Sequence, residues 1–213
     1  MAIKKRPVSP RQKMINLMYV VLMAMLALNV STEVLDGFSI VEDSLNRTTA
    51  NSSAENNAIY SDFADQMKQN PTKVREWFEK AKQVKDMSDA LYNFAQELKV
   101  AIVKEADGKN GDVSNIKNKE NLEAAGIVML APGTGKGKKL YRELNRYRDR
   151  ILELVTDEHQ KKIIASNFST QVPKSEKYLG KNWQEYMFEN MPVAAAVTLL
   201  SKIQSDVRYA EGE

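Results

Sequence analysis

The sequence predicts an all-α protein in which a single transmembrane helix continues into an extracytoplasmic helical bundle. Three observations carry this prediction. Residues 14–31 contain no charged side chain, apolar residues after that run recur at spacings of three and four, and no segment alternates with the period of two that a half-buried strand shows. The 213 residues include no cysteine, so no disulfide supports the fold and its stability must come from helix packing.

The charge-free run predicts a transmembrane helix over residues 14–35. From Met14 to Thr32 a helix rises about 28 Å, close to the thickness of the hydrocarbon core of a bilayer. Basic side chains precede the run, at Lys4, Lys5, Arg6, Arg11 and Lys13, and acidic ones follow it, at Glu33, Asp36, Glu42 and Asp43. Because positive charge stays on the cytoplasmic side, residues 1–13 form a cytoplasmic arm and residues 36–213 lie outside.

A cleaved secretory signal is the rival interpretation of this run, since it also combines a basic start with an apolar centre. Its best cleavage position follows Ala27, which places Met25 where a small residue is required. A retained anchor is therefore favoured.

Beyond the membrane, the spacing of apolar residues predicts further helices. With no proline between Pro10 and Pro71, the membrane helix is expected to continue as a stalk through apolar positions at Val34, Leu35, Phe38, Val41 and Leu45. A long apolar stripe predicts a helix over 72–106, with Asn70 and Pro71 before it and Gly108 after it. Residues 108–139 are expected to form a loop with a short helix in 119–125, and residues 140–164 and 192–208 two more helices. The outer part thus reads as an antiparallel helical bundle.

No segment carries convincing catalytic or ligand-binding chemistry. The run at residues 133–138 resembles a phosphate loop but lacks the first glycine and the Ser or Thr that follows the lysine, so a basic surface loop is expected. His159 is the single histidine, and its acidic neighbours Asp157 and Glu158 lie on adjacent helix faces. An Arg and Tyr cluster over 141–150 is typical of a solvated helix face. The sequence therefore predicts no enzyme, no cofactor, no metal site and no nucleic-acid partner.

The membrane helix itself has two distinctive faces. At 100° per residue, one face carries Arg11, Asn29 and Glu33. The other carries Asn16 together with the small or β-branched residues Val20, Ala24, Ala27 and Ser31, which permit close approach of another helix. This pattern predicts a helix that contacts protein on two sides.

Several segments resemble the GldM/PorM proteins of gliding motility and type IX secretion in Bacteroidota. The N-terminal ones are PRQKMINLMY at residues 10–19, MLALNV at 25–30 and EVL at 33–35, and the later ones are FENMP at 188–192 and LLSKIQSDVR at 199–208. Together they imply that the resemblance covers the whole chain.

The resemblance implies the rod-like subunit of an inner-membrane motor driven by the proton motive force. Two copies of the chain would stand inside a ring of GldL/PorL-like multi-pass subunits, with the bulk of the protein in the periplasm. The rod would pass motion to outer-membrane machinery through further C-terminal domains, which we expect to follow residue 213 in the native protein.

The resemblance also implies roles for five residues. Arg11 would be a fixed positive charge that pairs with or releases a proton-carrying carboxylate of the ring. Asn16, Tyr19 and Asn29 would be polar contacts along the pathway, and Glu33 an outer counter-charge. Because no carboxylate lies between Met14 and Thr32, the titrating group is expected on the partner or near Glu33.

One alternative function remains at this point, a single-pass membrane-anchored periplasmic sensor or adaptor. A sensor that signals inward needs a cytoplasmic output domain, and only 13 residues precede the predicted span.

Overall fold

The computed structural model describes residues 9–28 and 31–213, and within residues 24–28 it describes the backbone alone. The α-helices in that part of the chain are α1 Pro10–Leu28, α2 Thr32–Gln69, α3 Pro71–Asp107, α4 Ala124–Leu130, α5 Gly137–Leu154, α6 Glu158–Asn167, α7 Trp183–Phe188 and α8 Val193–Gly212. A short 3-10 turn spans Glu176–Tyr178. No strand occurs among the described residues, so the all-α prediction is confirmed.

The N-terminal helix differs from the expected one. None of the helices in the described part of the chain combines the length and the apolar character needed to cross a membrane. The prediction that one continuous helix runs from the span into the stalk is wrong, because α1 ends at Leu28 and α2 begins at Thr32. Ser31 between them has extended backbone, and its Oγ accepts a hydrogen bond from the Val34 amide, which makes it the N-cap of α2.

Helices α2 and α3 form a long hairpin. Asn70 separates them, and Pro71 occupies the first turn of α3, where its missing N–H costs nothing. Helix α3 ends at Asp107, and Gly108 follows it as the C-cap. The φ of Gly108 is 85°, a left-handed conformation that glycine adopts without steric cost. The helix predicted over 72–106 is therefore confirmed, together with the residues that begin and end it.

The second half of the chain departs from the prediction in two places. The apolar patch 127–130 lies inside α4, which starts at Ala124, so the short helix predicted over 119–125 is misplaced. The single helix predicted over 140–164 is broken into α5 and α6. Asp157 causes that break, since its carboxylate accepts hydrogen bonds from the amides of His159 and Gln160 and caps α6.

An apolar core joins α3, α4, α5, α6, α7 and α8. Its fully buried side chains include Leu98 of α3, Leu140 of α5, Phe188 of α7 and Val197 of α8. Helix α8 lies at the centre, where it packs against both α2 and α3. Among the residues of this core, α2 contributes none, although it is the longest of the described helices.

Candidate partner-binding helix and its junction with the bundle

Between Met14 and Met23, helix α1 presents apolar side chains to solvent on every side. From Pro10 to Met23 every side chain is exposed, and consecutive ones such as Leu17, Met18 and Tyr19 each expose about two-thirds of their surface (65%, 68% and 65%). A helix that is apolar on all sides is stable only when something covers it. Nothing in the described part of this chain does so.

The polar residues of α1 lie at its N-terminal end. Arg11 is in the first turn and is exposed. Asn16 Oδ1 accepts a hydrogen bond from the side-chain Nε2 of Gln12, one helical turn away, at 3.1 Å. Its carbonyl oxygen is thus engaged within the helix.

The structure places some of the predicted contact residues and not others. Arg11, Asn16, Tyr19 and Val20 lie on α1 with exposed side chains. Two further positions, Ala24 and Ala27, lie within α1 by their backbone, and Asn29 lies outside the described residues. The roles assigned to all of these residues stay predictions.

The helical periodicity that grouped two other residues with α1 does not extend across the junction. Glu33 and Ser31 follow the end of α1 at Leu28, so counting turns from Arg11 or Val20 no longer places them on a shared face. Instead they contact each other, with Ser31 Oγ donating to Glu33 Oε2 at 2.8 Å. Both residues stabilise the first turn of α2.

The start of α2 is held to the bundle by polar contacts. Lys119, in the loop before α4, donates to Ser39 Oγ at 2.9 Å and lies 3.7 Å from Asp36 Oδ1. Thr198 Oγ1 of α8 lies within hydrogen-bond distance of two backbone carbonyls, that of Phe38 at 3.2 Å and that of Ala194 in its own helix at 2.8 Å. The expected apolar stripe is only partly right here, because Leu35 is buried while Val34 and Val41 are half exposed.

A polar seam continues along the same side of α2. We use this term for the buried or largely buried polar side chains of Glu42, Thr49 and Asn56 on α2, Lys99 on α3, and Ser201, Gln204 and Arg208 on α8. At its centre Lys99 Nζ lies 3.1 Å from Glu42 Oε1, with only 3% and 11% of the two side chains exposed. Such a pair is stable only when the remaining donors and acceptors are also satisfied.

This seam was not predicted from the sequence. One signal was available, since Leu35, Glu42, Thr49 and Asn56 follow one another at intervals of seven residues, the spacing of one helix face in contact with a neighbour. Lys99 gives no such signal, because a lysine beside an apolar stripe is normally solvated.

The glycine-rich run at 133–138 has a structural explanation. The amides of Gly135 and Lys136 donate to the carbonyls of Ala131 and Val128, at 2.7 and 3.0 Å, so they do not form a cradle for phosphate. A Cβ at Gly135 or Gly137 would lie 2.7 Å from the Met129 carbonyl oxygen. These glycines allow the chain to pass closely over the end of α4.

The histidine and the arginine cluster also have ordinary surroundings. His159 is exposed, and no group of three or more metal-ligating side chains occurs among the residues that the structure describes. In the cluster, Arg146 is solvated while Tyr147 is buried in the core, as expected of a helix with one packed face.

One comparison with known proteins decides the family. A family model described as the GldM N-terminal domain matches residues 33–213. The chain belongs to the GldM family. The match confirms the resemblance over α2 to α8, and α1 lies before the first matched residue. Among curated proteins, none matches the chain.

Membership of the GldM family places the chain in a known machinery. The family takes part in gliding motility and type IX secretion, where it works with other subunits as an inner-membrane-anchored structural component. The bundle described here is therefore the family's N-terminal domain.

Proposed function

We propose that this chain is the rod-like subunit of an inner-membrane motor that uses the proton motive force to power type IX secretion and gliding motility. In this proposal α1 is the membrane anchor, the residues before Met14 are cytoplasmic, and α2 to α8 form a periplasmic domain that transmits motion. The protein performs no catalysis and holds no cofactor. The observation that carries the proposal is the set of exposed apolar side chains that α1 presents between Met14 and Met23.

The residue types on one side of α1 favour packing against other membrane helices over simple anchoring in lipid. Asn16 lies one turn before Val20, on the side where the backbone also places Ala24 and Ala27. Small residues at that spacing allow a second helix to approach closely, and an amide side chain gives it a hydrogen-bonding partner. We therefore assign to this side the packing of α1 against membrane helices, either those of a GldL/PorL-like ring or α1 of a second copy in a homodimer.

Arg11 supplies the charge that the proposed motor needs. A guanidinium stays protonated at all physiological pH values, and it lowers the pKa of a carboxylate that comes within a few ångströms. If the ring carries such a carboxylate, movement of the rod would bring Arg11 towards it and away again, so that the carboxylate releases and binds a proton in turn. Tyr19 and Asn29 would be further polar contacts, with Glu33 at the periplasmic side.

The co-purification experiment separates this function from the sensor or adaptor. Tagged native chain, extracted from its own cells in mild detergent, is expected to bring down a small multi-pass membrane protein in stoichiometric amount. A periplasmic sensor has no need of such a partner, and isolation of the chain alone would contradict the motor proposal.

A pair of variants tests the role of Arg11. Arg11→Ala is expected to abolish proton-driven gliding and secretion while the complex still assembles. Lys13→Ala, which removes a neighbouring exposed cation from the same turn, is the matched control and is expected to keep most of the activity. Normal movement with Arg11→Ala would show that the assigned role is wrong.

A further inference from the structure

Helix α2 is attached to the bundle in a different way from the other helices. It is 38 residues long, yet its buried side chains are Leu35, Glu42, Thr49 and Asn56, three of them polar, and none belongs to the apolar core. The core side chains of α3 and α8, by contrast, are large and fully buried, as at Leu98 and Val197. The fully buried part of the contact between α2 and its neighbours is therefore mainly polar, while apolar side chains such as Phe38 and Leu45 are only half-buried there.

At the centre of the polar seam, two of the three partners of the Lys99 ammonium group lie on α8 and not on α2. Lys99 donates to Ser201 Oγ at 2.7 Å and to Gln204 Oε1 at 3.4 Å, both on α8. Glu42 adds the third partner of the ammonium group and accepts from Ser201 Oγ at 3.1 Å. If α2 moved away, Lys99 would keep two partners, and water would replace Glu42.

At the far end of the seam, too, the polar contacts between α3 and α8 do not depend on α2. Asn56 Nδ2 donates to the Arg208 carbonyl at 2.8 Å, while the Arg208 guanidinium is held by Asp89 at 2.8 Å and Glu211 at 2.6 Å. Those two carboxylates belong to α3 and α8. The surface beneath α2 is thus a polar surface whose side chains are held in place by contacts between α3 and α8.

Exposing a polar surface to water costs little, because lost hydrogen bonds are replaced by bonds to water, whereas exposing Leu98 or Val197 forfeits hydrophobic stabilisation. A segment with few buried apolar contacts opens at a lower free energy than the rest of its domain. We propose that α2 is a separable strut, which detaches from the bundle while α3–α8 stay folded, and that the Glu42–Lys99 pair is the latch that holds it. Since α2 follows the Ser31 junction, any force applied through α1 reaches the strut first. The proposal stands whether or not the motor function is correct.

The absence of cysteine from the chain makes a thiol-labelling test direct. Thr49→Cys places one thiol under α2, and Val197→Cys places one in the apolar core, at side chains that are 5% and 0% exposed. In the 213-residue chain, the Thr49→Cys thiol is expected to react with a small disulfide reagent at least tenfold faster than the Val197→Cys thiol. Each rate is normalised to the rate of the same variant when unfolded. Equal rates would mean that both sites open in one global event, which overturns the proposal.

The latch is tested by adding Glu42→Gln to each cysteine variant. Loss of the charge is expected to speed labelling of the Thr49→Cys thiol at least fivefold and to leave the Val197→Cys thiol unchanged. Glu76→Gln, which removes a carboxylate from the exposed Glu76–Lys80 pair, is the matched control and changes neither rate. Equal acceleration at both cysteines would overturn the separable strut, and no acceleration at either would overturn the latch.

Discussion

Removing the hydroxyl of Tyr147 is expected to destabilise the bundle measurably, because that one atom links three helices. Tyr147 Oη of α5 donates to the Val207 carbonyl of α8 at 3.2 Å and lies 2.9 Å from Ser88 Oγ of α3. Because the phenol has one hydrogen and Val207 accepts it, Ser88 is the donor in the second hydrogen bond. Ser88 is fully buried, so Tyr147→Phe leaves its hydroxyl without a partner. An unsatisfied buried hydroxyl costs about 1–3 kcal/mol, while the Val207 carbonyl keeps its helical hydrogen bond.

We therefore expect Tyr147→Phe to lower the free energy of unfolding by about 2 kcal/mol, which corresponds to a fall in Tm of about 4–8 °C for a domain of this size. Ser88→Ala alone should cost about 0.5–1 kcal/mol, since Tyr147 keeps Val207. The double variant should be about 1 kcal/mol more stable than the sum predicts, because it leaves no orphaned hydroxyl. Urea and thermal unfolding, followed by far-ultraviolet circular dichroism, measure all three.

Tyr141→Phe is the matched control on the same helix, with a side chain that is 39% exposed, and it should change the stability by less than about 0.5 kcal/mol. A Tyr147→Phe variant as stable as this control, or strictly additive energies, would refute the reasoning.

Two further predictions follow from burial and close packing. Burial raises the pKa of the Tyr147 phenol above its unfolded value of about 10. The neutral phenol therefore contributes its full stability to the fold below about pH 10, and this contribution is lost as the pH rises from there towards the pKa of the folded state. Thermal unfolding at alkaline pH should show the decline, and Tyr147→Phe should weaken it. Gly135→Ala should cost about 1–3 kcal/mol in urea unfolding, since its Cβ would lie 2.7 Å from the Met129 carbonyl oxygen and 2.8 Å from backbone atoms of Ala131. Gly126→Ala, inside α4, would place its Cβ no nearer than 4.0 Å to another atom, the Phe188 carbonyl oxygen, and should instead gain about 0.5–1 kcal/mol. Equal losses at both glycines would contradict this explanation from close packing.

Helices could be predicted from the sequence where neighbouring residues gave consistent signals. Features that depend on a contact with a distant residue could not be predicted. Helix α3 was predictable because a long apolar stripe lies between Pro71 and Gly108, two residues with strong backbone preferences. The break between α5 and α6 was missed because Asp157 reads equally well as a solvated helix residue, and only its cap contacts show otherwise.

The candidate site was predictable only in part, for a related reason. The exposed apolar surface of α1 agrees with the uncharged run in the sequence. The pairing of Glu42 with Lys99 was not predictable, since a charged residue is buried only when the fold brings it a partner, here from a helix 57 positions away in the chain.

Photo-crosslinking from α1 in native membranes tests the central claim most directly. A photoreactive amino acid replaces Met18, which is 68% exposed, and a control is placed at Trp77 of α3, which is 57% exposed. If protein surrounds α1, Met18 alone is expected to capture a small multi-pass membrane protein or a second copy of this chain. Adducts with lipid only at Met18 would show that no protein surrounds the helix, and would contradict the account.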